Sequence, residues 1–542
     1  MKRIIFIFII FALCYLLSAI CQAQVTQEWA ARYTGPSNDL FGPFLAVDKQ
    51  GNSYMAGTHV INDSINILCV KYNTSGVQQW VTLYKYPGEG YFAPTGLALD
   101  SSGNAYVISD DGPSYLLPHN ALIIKFNSLN GSPVWARRYV GEYGWGAFRD
   151  IKIDRLNNIY VTGWTDTSHL VIKYNTNGGS VWVRKYHPPG RVREVARDCT
   201  IDDSLNVIFT GFRRFYYPPS GYYDSVLVVK YSSGGIIRWE STYAYNYLSP
   251  NQGTNIANDQ NGSLYIGGIT TISGYGVYLT LKYDRNGTLQ WTAIYDAPGS
   301  GDNTIYGIAM DRMNNALFVT GYSVVNSIGY ATTIKYNTST GDSAWVRRGF
   351  GVPGSSSAWD VEVDSSGNVY ITGSSLGVSS SDVSTLKYSQ FGDSVWLMRY
   401  NGPFNGGDGG RALEISRNNV YVLGYSLSSA QVTDYIVIKY IQFLGLKPIY
   451  KEIPKTFSLG QNYPNPFNPY TKIMFSVSQK SFIILKVYDV LGRVKEILVN
   501  GQMQPSKYEL TLDASKYSTG VYFYQMVVDG RIIDTKKFIV LK

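Results

Sequence analysis

The side chains with the most chemical capacity in this sequence recur at fixed distances from a repeated turn. Seven copies of the turn begin at Asp48, Asp100, Asp154, Asp202, Asp259, Asp311 and Asp364, and an eighth begins at Ser416. Two and four positions before the turn residue, several copies carry Ala or Gly. Others carry Asp150 and Lys152, Asp198 and Thr200, Asn255, Asp360 and Glu362, or Glu414. Side chains of this kind, brought together, suit a polar funnel for a small ligand or a cation, with Arg149, Arg197 and Arg411 near its mouth. Mutual Arg–Asp pairing is the structural alternative, since ion pairs also gather such groups. The Asp-x-x-Gly-Asn turn lacks the further carboxylates of a calcium loop. It reads as turn chemistry: Asp bonds its own backbone, and Gly or Asn accepts positive φ.

Other reactive side chains point to less. His59, His119, His169 and His187 lie on or beside the long connections, none at metal-ligand spacing from another His or Cys, and read as surface histidines. No His-Glu-x-x-His helix or phosphate loop occurs. No acid/base pair stands out. Neither a metal nor a cofactor is expected.

Three landmarks show which elements carry these residues. Trp29, Trp80, Trp135, Trp182, Trp239, Trp291, Trp345 and Trp396 open one strand type, seven intervals over 367 residues, or about 52 each. The turn is the second landmark. The third is Lys-Tyr or Lys-Phe, from Lys71-Tyr72 to Lys439-Tyr440. Apolar and polar residues alternate over the four to seven positions between turns, which is strand periodicity. One unit therefore reads as four strands: Asp360 to Val363, Val369 to Gly373, Val383 to Tyr388, and Val395 to Tyr400.

Eight four-stranded units suggest radial closure, which protects strand edges. The order of landmarks supports it. The chain opens with a lone fourth strand at Trp29, and its eighth unit ends at Tyr440 without one. The expected fold is all-β: an eight-bladed β-propeller over 24–442 whose last blade takes its outer strand from 27–33. A linker at 443–455 and a small Ig-like β-sandwich at 456–542 follow.

In such a ring the short, uniform turns share one face and the long, variable connections the other. The long ones are rich in Tyr, Gly and Pro, and Trp145, Tyr216, Tyr217, Tyr222 and Tyr223 are candidate ligand contacts there. Packing of the loops themselves is the alternative reading.

Charged residues are 16% of the chain, and a formal charge of +8 is spread without basic runs, which argues against nucleic-acid binding. Met1-Lys2-Arg3 and the apolar run Ile4 to Leu17 have the layout of a signal peptide, residues 1–23, with Cys21-Gln22-Ala23 as its cleavage site. Ile20 is bulky for lipidation at Cys21. The mature chain is expected to have no transmembrane helix. It keeps Cys69 and Cys199, three repeats apart, read as buried free thiols.

Val-Asp-Ser-Ser-Gly-Asn-Val-Tyr-Ile-Thr-Gly373 and its copies, over roughly 27–440, resemble bacterial SBBP-type and related propeller repeats. That resemblance implies the fold and carries no activity. Lys-Tyr-Asn-Thr-Ser-Gly-Val-Gln-Gln-Trp80 and its copies look like the tryptophan-docking turns of quinone-dependent dehydrogenases, where each Trp packs between blades. The adjacent cysteines of many such enzymes are absent, so blade packing is what this likeness implies.

The C-terminus closely resembles the type A sorting domain of the type IX secretion system. The motifs are Gln461-Asn-Tyr-Pro-Asn-Pro-Phe-Asn-Pro469, Val487-Tyr-Asp-Val-Leu-Gly-Arg493 and Ser518-Thr-Gly-Val-Tyr-Phe-Tyr524. The likeness implies a sorting role for Asn462, Pro464, Asn465, Pro466, Phe467, Asn468, Pro469 and Gly492, with the secretion machinery as partner. The expected function is a secreted or cell-surface binding or adhesion protein with an extracellular glycan or protein ligand. The alternative is a secreted enzyme using the central channel, quinone-dependent or polysaccharide-degrading.

Overall fold

The computed structural model describes residues 25–541 except 35–42, 62–63, 88–90, 113–118, 187–192, 218–220, 246–248, 300, 352–353, 429–431, 443–445, 449–453, 504 and 515–516. The signal-peptide segment lies outside the described residues. Among those described there is no helix, and the strands form ten four-stranded sheets. Among the described residues no helix is therefore long and apolar enough to cross a membrane.

Eight sheets follow one plan. Their first strands are Phe44–Val47, Tyr91–Leu99, Gly146–Ile153, Arg193–Ile201, Gln252–Asn258, Thr304–Asp311, Ser356–Val363 and Asp408–Ser416. In each of the first seven sheets the next three strands follow in chain order, neighbour pairing antiparallel with neighbour. First strands pack on one another in sequence, and Asp408–Ser416 packs on Phe44–Val47, so these eight line the centre. The eighth sheet takes its outer strand from the start of the chain: Val25–Tyr33 pairs with Thr433–Gln442.

The core is divided accordingly. Eight apolar clusters each lie between two successive sheets. One of them joins Leu45, Met55 and Leu68 of the first sheet to Tyr421, Leu423 and Val437 of the eighth. Period-two alternation produces this, because each strand sends alternate side chains to the two neighbouring sheets. Cys69 and Cys199 are buried in two of these clusters as free thiols.

The recurring Trp and Lys stitch sheet to sheet. Trp80 Nε1 and Lys71 Nζ both donate to the carbonyl of Ser128 in the next sheet, at 3.2 and 2.8 Å. Trp135 with Lys125 uses Thr176, and Trp291 with Lys282 uses Thr338. The eighth sheet repeats the stitch onto the first, since Trp29 and Lys439 both donate to Thr74 O at 3.0 Å. Under seven of these rings, Trp29 to Trp345, sits a glycine at positive φ. A Cβ on Gly131 would lie 2.5 Å from Trp80, and one on Gly178 would lie 2.7 Å from Trp135. Trp396 Nε1 donates to Gln442 Oε1, 3.4 Å away.

The other two sheets form the C-terminal unit. One joins Leu446–Pro448, Ser506–Asp513, Tyr470–Val477 and Ser458–Leu459; the other joins Val494–Met503, Ser481–Tyr488, Gly520–Val528 and Arg531–Val540. Within segment 443–455, Leu446–Pro448 is thus a strand paired with Ser506–Asp513. Ile473, Phe475, Leu485, Val487, Tyr524 and Phe538 belong to the core between the two sheets.

Candidate functional site

Seven of the eight inner strands slip register at the same place, between Pro94/Gly96, Phe148/Asp150, Ala196/Asp198, Gly253/Asn255, Ile305/Gly307, Ala358/Asp360 and Gly410/Ala412. The residue left over in each bulge is Thr95, Arg149, Arg197, Thr254, Tyr306, Trp359 or Arg411. A bulge leaves one residue unpaired and re-aims its side chain. Arg149, Arg197 and Arg411 are therefore equivalent positions, each preceding an equivalent channel position.

The channel carboxylates work between sheets. Asp150 Oδ2 accepts the backbone N–H of Cys199 at 3.0 Å, Asp198 Oδ2 that of Ile256 at 2.8 Å, and Asp360 Oδ2 that of Leu413 at 2.8 Å. Asn255 makes the matching contact in reverse, donating from Nδ2 to Tyr306 O at 3.2 Å. Each acceptor satisfies an N–H next to the following sheet's bulge, where the ladder is interrupted. Lys152 Nζ lies 2.9 Å from Asp150 and 3.8 Å from Asp198.

Burial pushes Asp360 up to about 6. Burial and then Asp360 push Glu414 up to about 7, while burial, Glu414 and Asp360 push Glu362 up. Asp198 is raised by burial and by Asp150. A carboxyl raised in the folded state binds its proton more tightly there than in the unfolded chain. Its contribution to stability is therefore lost as pH rises from the unfolded value through the folded one. For Glu414 that window runs from 4.5 to about 7. We expect Glu414→Gln to raise the melting temperature at pH 8, by roughly 1–3 kcal/mol of stability, and to leave it unchanged at pH 4. Thermal melts across this range check it; equal effects at both ends would contradict the assignment.

Arg149 and Arg197 meet; Arg411 does not join them. The two line a cavity of about 540 Å³ with Trp164, Arg193, Val195 and Phe212. It opens between the third and fourth sheets, at the end where long connections enter the inner strands. Arg149 Nη1 donates to both oxygens of Asp110, at 2.9 and 3.1 Å. Arg197 Nη2 donates to Gln252 Oε1 at 2.7 Å. The Arg193 guanidinium lies 4.5 Å from the centre of the Trp164 ring, and its buried Nε has no acceptor among the described residues. Arg411 sits elsewhere, 3.7 Å over Trp359, which in turn stacks on Tyr306 at 4.2 Å. A second cavity, of about 250 Å³, is lined by residues including Thr200, Asn258, Arg312 and Glu362.

Behind the arginine cavity lies a network the sequence reading missed. His169 is fully buried, contrary to the expected surface position. Its Nδ1 is 2.7 Å from Glu194 Oε2 and its Nε2 is 2.8 Å from Tyr231 OH. Arg213 donates to the other Glu194 oxygen and to Glu240. Strand alternation explains the arrangement. Arg193 and Val195 face the cavity, and Glu194 between them faces the interior.

The loop-face candidates are spread out. Tyr216 and Tyr222 are 55% and 65% exposed and pair across a hairpin at 5.1 Å. Tyr223 stacks on Phe215 at 4.9 Å. Trp145 is exposed and meets the His119 ring edge-on. Tyr217 lies in the strand Val207–Tyr217, but its side chain is outside the described residues.

In the C-terminal unit the motif residues divide in two. Asn462 is buried and donates from Nδ2 to Pro464 O and Thr471 Oγ1, while its backbone N–H donates to Tyr524 OH at 2.8 Å. Asn465 Oδ1 accepts from Ile539 N at 2.9 Å, and buried Phe467 packs on Phe538. Pro469 O accepts from Ala514 N. Gly492 takes φ 75° to close the Asp489 turn. Pro464, Pro466 and Asn468 are exposed.

Residues 461–541 match the secretion system C-terminal sorting domain. The chain is a protein handled by the type IX secretion system and then held at the cell surface or released. No curated protein matches the chain. Among solved structures it is similar to Sqt1 from Chaetomium thermophilum (12% identity, 77% of this chain and 98% of that one, TM-score 0.48). It is also similar to a virginiamycin B lyase from Staphylococcus aureus (10%, 75% and 98%, 0.38) and to Porphyromonas gingivalis dipeptidyl peptidase 4 (11%, 85% and 66%, 0.40). Likenesses at this level say nothing of activity.

Proposed function

We propose that this is a non-catalytic binding or adhesion protein displayed or released outside the cell. In this reading residues 24–442 are an eight-bladed β-propeller, the last two sheets an Ig-like sandwich, and the ligand site lies on the long-connection face. One observation carries it: guanidinium groups and aromatic rings converge on an open cavity at that face, whereas Asp150, Asp198 and Asp360 spend their oxygens on backbone N–H groups of the next sheet. The exposed residues of the sorting motif, Tyr463, Pro464, Pro466 and Asn468 among them, are free to meet the export machinery.

A second reading keeps the channel for catalysis. Glu414 near neutrality beside Glu362 favours it, since a carboxyl tuned to about 7 can act as an acid. A glycan array with the mature chain separates the two readings. Binding predicts reproducible retention of oligosaccharides whose length is unchanged on recovery. Shortened products that disappear with Glu414→Gln, or no retention of any glycan, would overturn the proposal.

A further inference from the structure

We propose that the cavity between the third and fourth sheets takes a sugar bearing an oxyanion, a carboxylate or a sulfate. This rests on the binding reading above and names the ligand class.

The first ground is charge. Arg149, Arg193 and Arg197 line the cavity, with Arg214 behind them on Phe212. Among the described residues two carboxylates answer these four cations, and both are already engaged: Asp110 by Arg149, and Asp224 by Arg214 at 2.7 Å. Burial, then Arg214 and Arg149, makes the Arg193 charge harder to hold, and burial and Arg149 do the same to Arg197. An arriving oxyanion relieves that crowding.

Geometry is the second. A guanidinium offers its donors as a planar fork matched to carboxylate or sulfate oxygens. Arg193 spends none of its donors on a hydrogen bond to the described residues, and Arg197 has one, to a neutral amide. The pocket is thus built for a ligand that brings its own acceptors.

Shape is the third. About 540 Å³ is within the range of small-molecule sites, and two of the six lining residues are aromatic. Arg193 lies 4.5 Å over Trp164, and Arg197 and Arg214 lie 5.4 Å over Phe212, which is 6% exposed, so the two rings hold guanidinium groups at the cavity wall. Outside the cell, oxyanion-bearing sugars are uronic-acid and O-sulfated oligosaccharides.

The test is calorimetric titration of the full mature chain with three oligosaccharides of one length: a uronic-acid oligomer, a sulfated neutral oligomer and the unsubstituted neutral oligomer. One or both charged probes should bind at least ~10-fold tighter than the neutral one, and more weakly as salt rises. Which charged probe binds tells carboxylate from sulfate. Arg193→Gln and Arg197→Gln should each weaken that binding ~10-fold or more with unchanged melting temperature. Arg155→Gln, exposed in a short turn on the other face, should not.

Equal affinity for charged and neutral probes would sink the ligand class while sparing the binding function. Charged-probe binding untouched by Arg193→Gln and Arg197→Gln would move the site elsewhere. No binding by any probe would sink both.

Discussion

Deleting Val25–Tyr33 from the mature chain should cost most of the stability of the eight-sheet body. The strand contributes eight paired positions to the eighth sheet. Val25 is buried in the cluster shared with the seventh sheet. Trp29 seats on Gly76, Glu28 pairs with Lys439 at 2.7 Å, and Arg32 pairs with Asp434. Ladder bonds alone are worth ~1 kcal/mol each net, so their sum approaches the whole stability of a domain, ~5–15 kcal/mol. Without them Thr433–Gln442 becomes a bare edge, the condition that leads to aggregation. Thermal melts of intact and truncated chains check this, and a synthetic peptide of residues 25–33 should restore the transition in part. A truncated chain that melts like the intact one would show that the ring does not depend on this closure.

Glu194→Ala should be the most damaging single substitution near the site. Glu194 and His169 are wholly buried and Arg213 nearly so. Removing the carboxylate leaves Arg213 with only Glu240, and His169 with only Tyr231. Breaking a buried pair by deleting one partner costs ~3–5 kcal/mol, because an uncompensated charge stays behind. Replacing Glu194 and Arg213 together by Leu and Met should recover much of that loss, since Glu240 is 35% exposed and can be solvated alone. Denaturant midpoints of the single and double variants measure the difference. A single variant within ~0.5 kcal/mol of the parent would mean the network contributes no structural support.

Much of the architecture could be read from periodicity, because each landmark has one physical job. The Trp and Lys recur because they share one carbonyl in the neighbouring sheet, and the turn Asp recurs because its oxygen closes the turn on the backbone. Asp154 Oδ1, for example, accepts from Leu156 N and Asn158 N, both at 2.9 Å. The site was harder to read. Arg149, Arg197 and Arg411 stand out in the sequence as charges, but the bulge that makes them equivalent also holds Tyr306 and Trp359, whose types give no hint. Arg193, Trp164 and Phe212 come from three different strands, and nothing in their spacing announces that they meet. His169 read as a surface residue because it lies close to a turn; its partner Glu194 is in the next sheet, 25 residues on. The fixed offset of the bulge from the turn was the one available signal.

The most direct test of the account is crystallographic: crystals of the mature chain soaked with a uronic-acid or sulfated trisaccharide. Ligand density is expected against Arg193 and Arg197, with the channel carboxylates unchanged. Density in the channel against Glu362 and Glu414, with the arginine cavity empty, would contradict it.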